Sequence, residues 1–335
     1  MSPTVLNFDV SAAIGSGEAL CQSGWAFLPE RPEAARAVLV CVAGGTYDKH
    51  YWHLEVDGHA DYSFGEWMAR LGYLVVALDH LGVGESSDPV RSGPLDFELL
   101  ATGDAEVARQ VRAGLQRGTL IHGLPPLVIP VIGVAHSMGA CITTVLQAKE
   151  RVYDAVALLG LAVEVANVHE GADKPPTMEE RMRFCREVFF DFTGASPEEN
   201  HALVRRSLFA GVFYAGDVPE DVLAADIAVQ SRIPLPAGWL ASVPGYLDRY
   251  TEKIDVPVFL AFGSGIDTSQ NPYAEPAHFS SSPDVTLHMV PKAGHCHNLC
   301  SHRRELWDRI ASWLGSVVPT AGTVSSRSPV SVSSA

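Results

Sequence analysis

The chain reads Ile132-Gly133-Val134-Ala135-His136-Ser137-Met138-Gly139-Ala140 at the point that decides its fold. An apolar run leads into Ser137, small residues stand two positions away on either side, and a helix-compatible stretch follows. Such a turn holds a serine hydroxyl in strained geometry at the carboxyl end of a strand, where only small neighbours fit. It also directs the N–H of Met138 and the positive end of a helix dipole at the reacting oxygen. We therefore predict that Ser137 is a nucleophile; the alternative is a small-residue turn that contains a serine by chance.

Apolar runs of strand length occur on both sides of this turn. Most lack polar alternation, as expected of strands buried on both faces, and they span residues 37–43, 74–79, 130–135, 155–160, 256–262 and 285–290. Helix-compatible stretches lie between or after them, at 63–71, 96–116, 138–149 and 303–314. This alternation predicts an α/β fold with a doubly wound, mostly parallel β-sheet and helices on both faces. Chemistry is then expected beyond the carboxyl ends of the strands.

The segment from 163 to 250 interrupts the alternation. It contains helix-like stretches at 178–192, 201–209 and 217–228, separated by Pro and Gly turns. We predict a core formed by residues 1–162 and 251–315, a mainly helical cap insertion at 163–250, and a flexible C-terminal tail at 316–335. The cap is rich in apolar side chains that could form a pocket or simply pack the cap onto the core: Phe184, Val188, Phe189, Phe190, Phe192, Leu208, Phe209, Val212, Phe213, Tyr214, Trp239 and Tyr246.

Two further turns accompany the one at Ser137. Residues 79–86 read Asp-His-Leu-Gly-Val-Gly-Glu-Ser, and Gly44 and Gly45 follow the first core run. Together the three turns resemble those of the α/β-hydrolase superfamily, whose nucleophile turn is usually Gly-x-Ser-x-Gly. This resemblance implies the α/β-hydrolase fold. It also implies that the N–H groups of Gly45 and Met138 form an oxyanion hole.

The same resemblance assigns a base and an acid. An Ala-Gly-His turn after the last apolar run ends at His295, where the superfamily has its general base, and His297 is the competing choice. Neutral imidazole can take the serine proton and return it to a leaving group near pH 7. The acid usually follows the penultimate core strand, where Asp267 stands. Some members take it after the strand that follows the nucleophile, where Glu164 stands.

Two local features allow other interpretations. The cluster His295, Cys296, His297, Cys300 and His302 could bind a metal, but no second matching cluster exists and the spacing does not fit a structural zinc site. We expect neither a metal nor a cofactor. The His-rich stretch 48–61 is long for a connection and could reach over the active site or form a solvated polar loop.

A serine nucleophile excludes the branches of the superfamily that need a carboxylate there, the epoxide hydrolases and haloalkane dehalogenases. Acyl chemistry remains, and we expect a carboxylic ester hydrolase that uses Ser137, His295 and Asp267 through an acyl-enzyme intermediate. The expected substrate is a small hydrophobic ester or lactone; the lactone rests on analogy with other capped serine hydrolases. Two alternatives stay open: an acyltransferase with the same triad, and a non-catalytic small-ligand receptor on this fold. The predicted triad is also compatible with hydrolysis of a C–C bond.

Composition limits the partners and the location. The formal net charge of −15 disfavours binding to nucleic acid and to anionic lipid surfaces. No secretory signal and no membrane span are recognisable, so a cytoplasmic location with six reduced cysteines is expected. The sequence leaves the oligomeric state open, a homodimer included.

Overall fold

The computed structural model describes residues 3–163, 171, 173–214 and 217–318. Within these residues an eight-stranded sheet has the strand order β1-β2-β4-β3-β5-β6-β9-β10. Its strands are β1 (Thr4–Asp9), β2 (Cys21–Phe27), β3 (Val38–Val42), β4 (Leu74–Leu78), β5 (Val131–His136), β6 (Ala155–Leu159), β9 (Val258–Gly263) and β10 (Val285–Val290). Strand β2 is antiparallel to both β1 and β4, and the remaining pairs are parallel. The predicted doubly wound, mostly parallel sheet is confirmed.

Helices cover both faces of this sheet. The described helices are α1 (Ser11–Ile14), α2 (Phe64–Arg70), α3 (Phe97–Arg117), α4 (Met138–Glu150), α5 (Met178–Thr193), α6 (Ala210–Phe213), α7 (Glu220–Ala228), α8 (Leu235–Leu240), α9 (Asp248–Thr251) and α10 (Arg303–Val317). Of these, α3 and α4 pack on one face of the sheet, and α2 and α10 on the other. Alternate residues of β3 enter two different hydrophobic clusters: Val40 packs with the α3 and α4 side, and Leu39 with the α2 and α10 side. Burial on both faces explains the continuous apolar runs of the strands.

The predicted helices of the core agree with the structure to within a few residues. In the segment 163–250, the helix predicted at 178–192 corresponds to α5, and that predicted at 217–228 begins later, at Glu220, after Pro219. The helix predicted at 201–209 is wrong. His201–Ala202 forms a short strand, β7, paired with β8 (Ile233–Pro234), and a 3₁₀ turn spans Arg206–Phe209. Backbone pairing with a distant strand cannot be read from local helical spacing.

Candidate active site

Ser137 lies between β5 and α4 in an unusual backbone conformation, with φ 55° and ψ −126°. The turn is crowded. A Cβ atom placed on Gly139 would lie 2.4 Å from the carbonyl oxygen of Ala43, and Ala135 is fully buried. Small residues are therefore required two positions away from the serine, as the sequence predicts, and the turn places the Ser137 hydroxyl at the carboxyl end of β5.

The loop after β3 packs directly against this serine. A Cβ atom on Gly44 would lie 2.6 Å from the Cβ of Ser137, so only glycine permits this approach. Gly45 and Met138 line the same cavity as Ser137. Met138 is the first residue of α4, so its N–H has no acceptor within the helix and stands at the positive end of the helix dipole.

His295 and Asp267 form a buried pair at the neighbouring strand ends. His295 Nδ1 lies 2.7 Å from Asp267 Oδ1, and both side chains are 1% exposed. The carboxylate must accept this hydrogen bond, so the proton sits on Nδ1 and Nε2 is left free as a base. Gly160 allows the approach, because a Cβ atom there would lie 2.7 Å from His295 Cε1. Within the described part of the chain, the Ser137 hydroxyl makes no hydrogen bond with His295, although both line one cavity.

Asp267 is also held by groups other than His295. Its carboxylate accepts hydrogen bonds from the N–H groups of Gly263 and Thr268, each at 2.6 Å. His297 Nε2 lies 2.8 Å from the second carboxylate oxygen. Burial alone would raise the pKa of Asp267, but its interactions with His295 and His297 hold this pKa well below the usual range. The carboxylate is therefore ionised at neutral pH. The alternative acid, Glu164, lies outside the described residues.

Two residues at the site were not predicted from the sequence. The ring of His136 stacks on Tyr51 with centroids 4.3 Å apart, and His136 Nε2 lies 2.9 Å from the carbonyl oxygen of His295. Burial, then the nearby His295 and His297, hold the pKa of His136 well below its usual value. Tyr51 belongs to the 48–61 stretch, which is partly buried rather than a solvated loop. A neutral His136 is thus a fixed support for the loop that carries His295.

The Cys/His cluster does not converge on one point. His295 and His297 both face Asp267, the Sγ of Cys296 lies 3.1 Å from the hydroxyl of Tyr47, and the Cys300 thiol donates to the carbonyl of His297. Among the residues that the structure describes, no group of three side chains is arranged to hold a metal ion.

A cavity of about 300 Å³ opens beside Ser137 and His295. It is lined by Gly45, Thr46, Ser137, Met138, Phe189, Phe192, Leu208, Phe209, Gly211, Val212, Phe213, Ile233, Gly238, Ala241, Ser242, Thr268 and His295. Six of the twelve apolar residues singled out in the segment 163–250 are among them. The lining is thus mainly aromatic and aliphatic, with a few small polar groups.

A model of the alpha/beta hydrolase family matches residues 39–309. The chain belongs to the alpha/beta hydrolase family. This membership supports hydrolase activity on a small molecule. No curated protein matches the sequence significantly.

Solved structures share the architecture over most of the chain. A bromoperoxidase from Bacillus anthracis is 15% identical, covers 93% of this chain and 100% of its own, and superposes with a TM-score of 0.61. An esterase from Exiguobacterium antarcticum is 17% identical, with 89% and 96% coverage and a TM-score of 0.61. A monoglyceride lipase from Saccharomyces cerevisiae is 12% identical, with 96% coverage of both chains and a TM-score of 0.63. At these identities the likeness concerns the fold. No described helix is both long and apolar enough to span a membrane.

Proposed function

We propose that the protein is a serine hydrolase that cleaves a carboxylic ester bond of a hydrophobic ester or lactone. The observation that carries this proposal is the buried His295–Asp267 pair, which opens onto the same cavity as a serine held at φ 55°. Strained backbone at a reactive side chain is typical of functional sites, and a buried carboxylate that fixes the tautomer of a histidine is typical of a general base.

The reaction follows from the roles of these groups. His295 Nε2 takes the proton of Ser137 as the Oγ attacks the ester carbonyl, and the N–H groups of Gly45 and Met138 donate to the oxyanion that forms. The intermediate collapses, the bond to the alcohol oxygen breaks, and His295 returns the proton to the leaving alcohol. A water molecule then attacks the acyl carbonyl while His295 takes its proton. The intermediate collapses, and His295 returns the proton to Ser137 Oγ as the carboxylic acid leaves. Asp267 stays ionised throughout and stabilises the imidazolium.

The cavity supports a hydrophobic, uncharged substrate. No Lys, Arg, Asp or Glu is among the described residues that line it, so an ionised substrate group would be desolvated there without a partner. A row of rings leads outward from His295: Phe213 lies 5.4 Å from it, Phe209 stacks on Phe213 at 5.2 Å, and Phe192 meets Phe209 edge-on at 5.4 Å. Phe192 is 42% exposed, so this row reaches the protein surface.

Intact mass spectrometry after incubation with a fluorophosphonate tests the proposal. We expect one adduct on the wild type and none on Ser137→Ala, while Ser312→Ala, at an exposed position on α10, keeps the adduct. Hydrolysis of aryl esters and hydrophobic lactones should be lost in Ser137→Ala as well. Failure of probes of several sizes to label the wild type, together with no hydrolysis of any ester, would refute the serine hydrolase.

A further inference from the structure

A buried ion pair of the cap reaches into the loop that carries Gly45. Arg206 and Asp226 are both almost fully buried, and their side chains lie 2.9 Å apart. The guanidinium carbon of Arg206 lies 3.6 Å from the ring centroid of Tyr47, a core residue two positions after Gly45. Arg206 also donates to the carbonyl of Asp226. The pair therefore joins the 3₁₀ turn at 206–209 and α7 of the cap to the core loop after β3.

The contact of Arg206 with Thr46 is the most specific part of this arrangement. Nη2 of Arg206 donates to the Thr46 carbonyl at 2.7 Å, and Nε donates to the Thr46 hydroxyl at 3.3 Å. The N–H of Ser231 donates to the same carbonyl at 2.9 Å. Thr46 has φ 68°, a backbone conformation that β-branched residues rarely adopt. Since Thr46 directly follows Gly45, the cap groups that hold this strained residue also fix the peptide next to the proposed oxyanion donor.

The Arg206–Asp226 pair is also connected through hydrogen bonds to the loop that carries His295. The hydroxyl of Tyr47 lies 3.2 Å from Asp226 Oδ2 and 3.1 Å from the Sγ of Cys296. Tyr214 donates to Asp226 Oδ2 at 2.7 Å. Cys296 directly follows His295, so one buried network touches the neighbours in sequence of both the proposed donor and the proposed base.

We propose that Arg206, held by Asp226, is a positioning residue that orients the Gly45 N–H toward the tetrahedral oxyanion. This inference rests on the serine hydrolase proposed above. Stability alone does not explain a buried ion pair, because well-packed apolar residues of similar volume would stabilise the fold as well or better. The planar fork of arginine can instead hold one backbone carbonyl and one hydroxyl in a fixed geometry, which lysine cannot reproduce. The cap then acts on the chemistry of the site in addition to enclosing the substrate.

A substitution of Arg206 should therefore weaken transition-state stabilisation without weakening substrate binding. Arg206 itself does not line the cavity, so changing it removes no direct contact with the ground-state ester. The oxyanion exists only after Ser137 has attacked, so a misplaced Gly45 N–H weakens only that state. A merely structural Arg206 would lower the stability or disturb both states alike.

The test compares the wild type with Arg206→Lys and with the double variant Arg206→Met/Asp226→Leu, which removes both buried charges together. Each folded protein is assayed with an aryl ester that the wild type hydrolyses. Each is also titrated with a trifluoromethyl ketone, which forms a tetrahedral adduct with a serine, and with the matching methyl ketone as a ground-state control. Arg186→Met, an exposed cap arginine that lies over the ring of Phe190, is the matched control.

We expect kcat to fall about tenfold to hundredfold in both Arg206 variants, and the inhibition constant of the trifluoromethyl ketone to rise by a similar factor. KM, the affinity for the methyl ketone and the behaviour of Arg186→Met should stay within about twofold of the wild type. Unchanged kcat and ketone affinity would overturn the inference, and so would an equal loss for both ketones. If the double variant does not fold, Arg206→Lys decides by the same criteria. A wild type that neither hydrolyses esters nor reacts with fluorophosphonate overturns the proposed function itself.

Discussion

His297 binds the carboxylate oxygen of Asp267 that His295 leaves unused, with its Nε2 2.8 Å from Oδ2. The Nδ1 of His297 is buried without a hydrogen-bond partner among the described residues. His297, the competing choice for the base, thus binds a different oxygen of the Asp267 carboxylate from the one that His295 binds. This arrangement suits a residue that fixes the orientation of Asp267.

Substitution of Asp267 should therefore lower the hydrolytic activity more than substitution of His297. Asp267→Asn should lower kcat by about 10³–10⁴-fold, because the amide favours the wrong tautomer of His295. His297→Leu should lower it by only about tenfold, since one of the hydrogen bonds to the carboxylate is lost and the others remain. Steady-state hydrolysis of an aryl ester measures both. A larger loss in Glu164→Gln than in Asp267→Asn would move the acid to Glu164.

Phe213 should determine selectivity for the alcohol part of the ester. His295 returns its proton to the leaving alcohol, so this group must lie beside His295, against whose ring Phe213 packs. Phe213→Leu should lower kcat/KM for a benzyl ester about three- to tenfold, the effect of one lost aromatic contact, and leave the methyl ester of the same acid nearly unchanged. Phe184→Leu, a cap residue outside the cavity, is the control. Equal losses for both esters would contradict this role.

Local sequence patterns were sufficient for the sheet and for the tight strand-to-helix turn at Ser137. Strands buried on both faces leave continuous apolar runs, and the nucleophile turn needs small residues at fixed spacing, so both are visible within a short stretch. The pairing of His297 with Asp267, the stacking of Tyr51 on His136 and the contact of Arg206 with Thr46 were not predictable. Arg206 and Thr46 are 160 positions apart, and only the folded cap brings them together. The wrong helix at 201–209 has the same cause, a tertiary contact that overrides local preference.

The stability of the fold should depend on pH through His136. Burial and the nearby His295 and His297 hold its pKa well below the ordinary histidine value of about 6.5, so near pH 6 the unfolded state binds a proton that the folded state does not. The free energy of unfolding should therefore decrease as the pH falls below about 6.5, by at most about 1.4 kcal/mol per pH unit from this residue. Urea unfolding between pH 5 and 7 should show a smaller slope in His136→Gln, and an unchanged one in the exposed control His122→Gln.

His80 should contribute to the pH dependence of stability with the opposite sign from His136. Burial alone would lower the pKa of His80, but Asp104, 2.9 Å away, raises it above the ordinary histidine value of about 6.5. Its stabilising effect is then fully present below about pH 6.5 and is lost as the pH rises through the folded-state pKa. His80→Gln should make the free energy of unfolding increase more steeply with pH above 6.5 than in the wild type. A change of slope in the same direction as that of His136→Gln would contradict this assignment.

Gly160 should be required for two reasons: its positive φ favours glycine, and a side chain at this position would displace His295. Gly160→Ala places a Cβ only 2.7 Å from His295 Cε1 and 2.8 Å from its Nδ1, while Gly17→Ala meets no atom within 4 Å. Both residues have positive φ, 63° and 76°, so both substitutions should cost about 1 kcal/mol of stability through backbone strain. Only Gly160→Ala should also lower kcat, by about a hundredfold, because a displaced imidazole loses its geometry with the nucleophile. Thermal unfolding and ester hydrolysis of the two variants measure the strain and the displacement separately, and equal activities would show that His295 can move without loss.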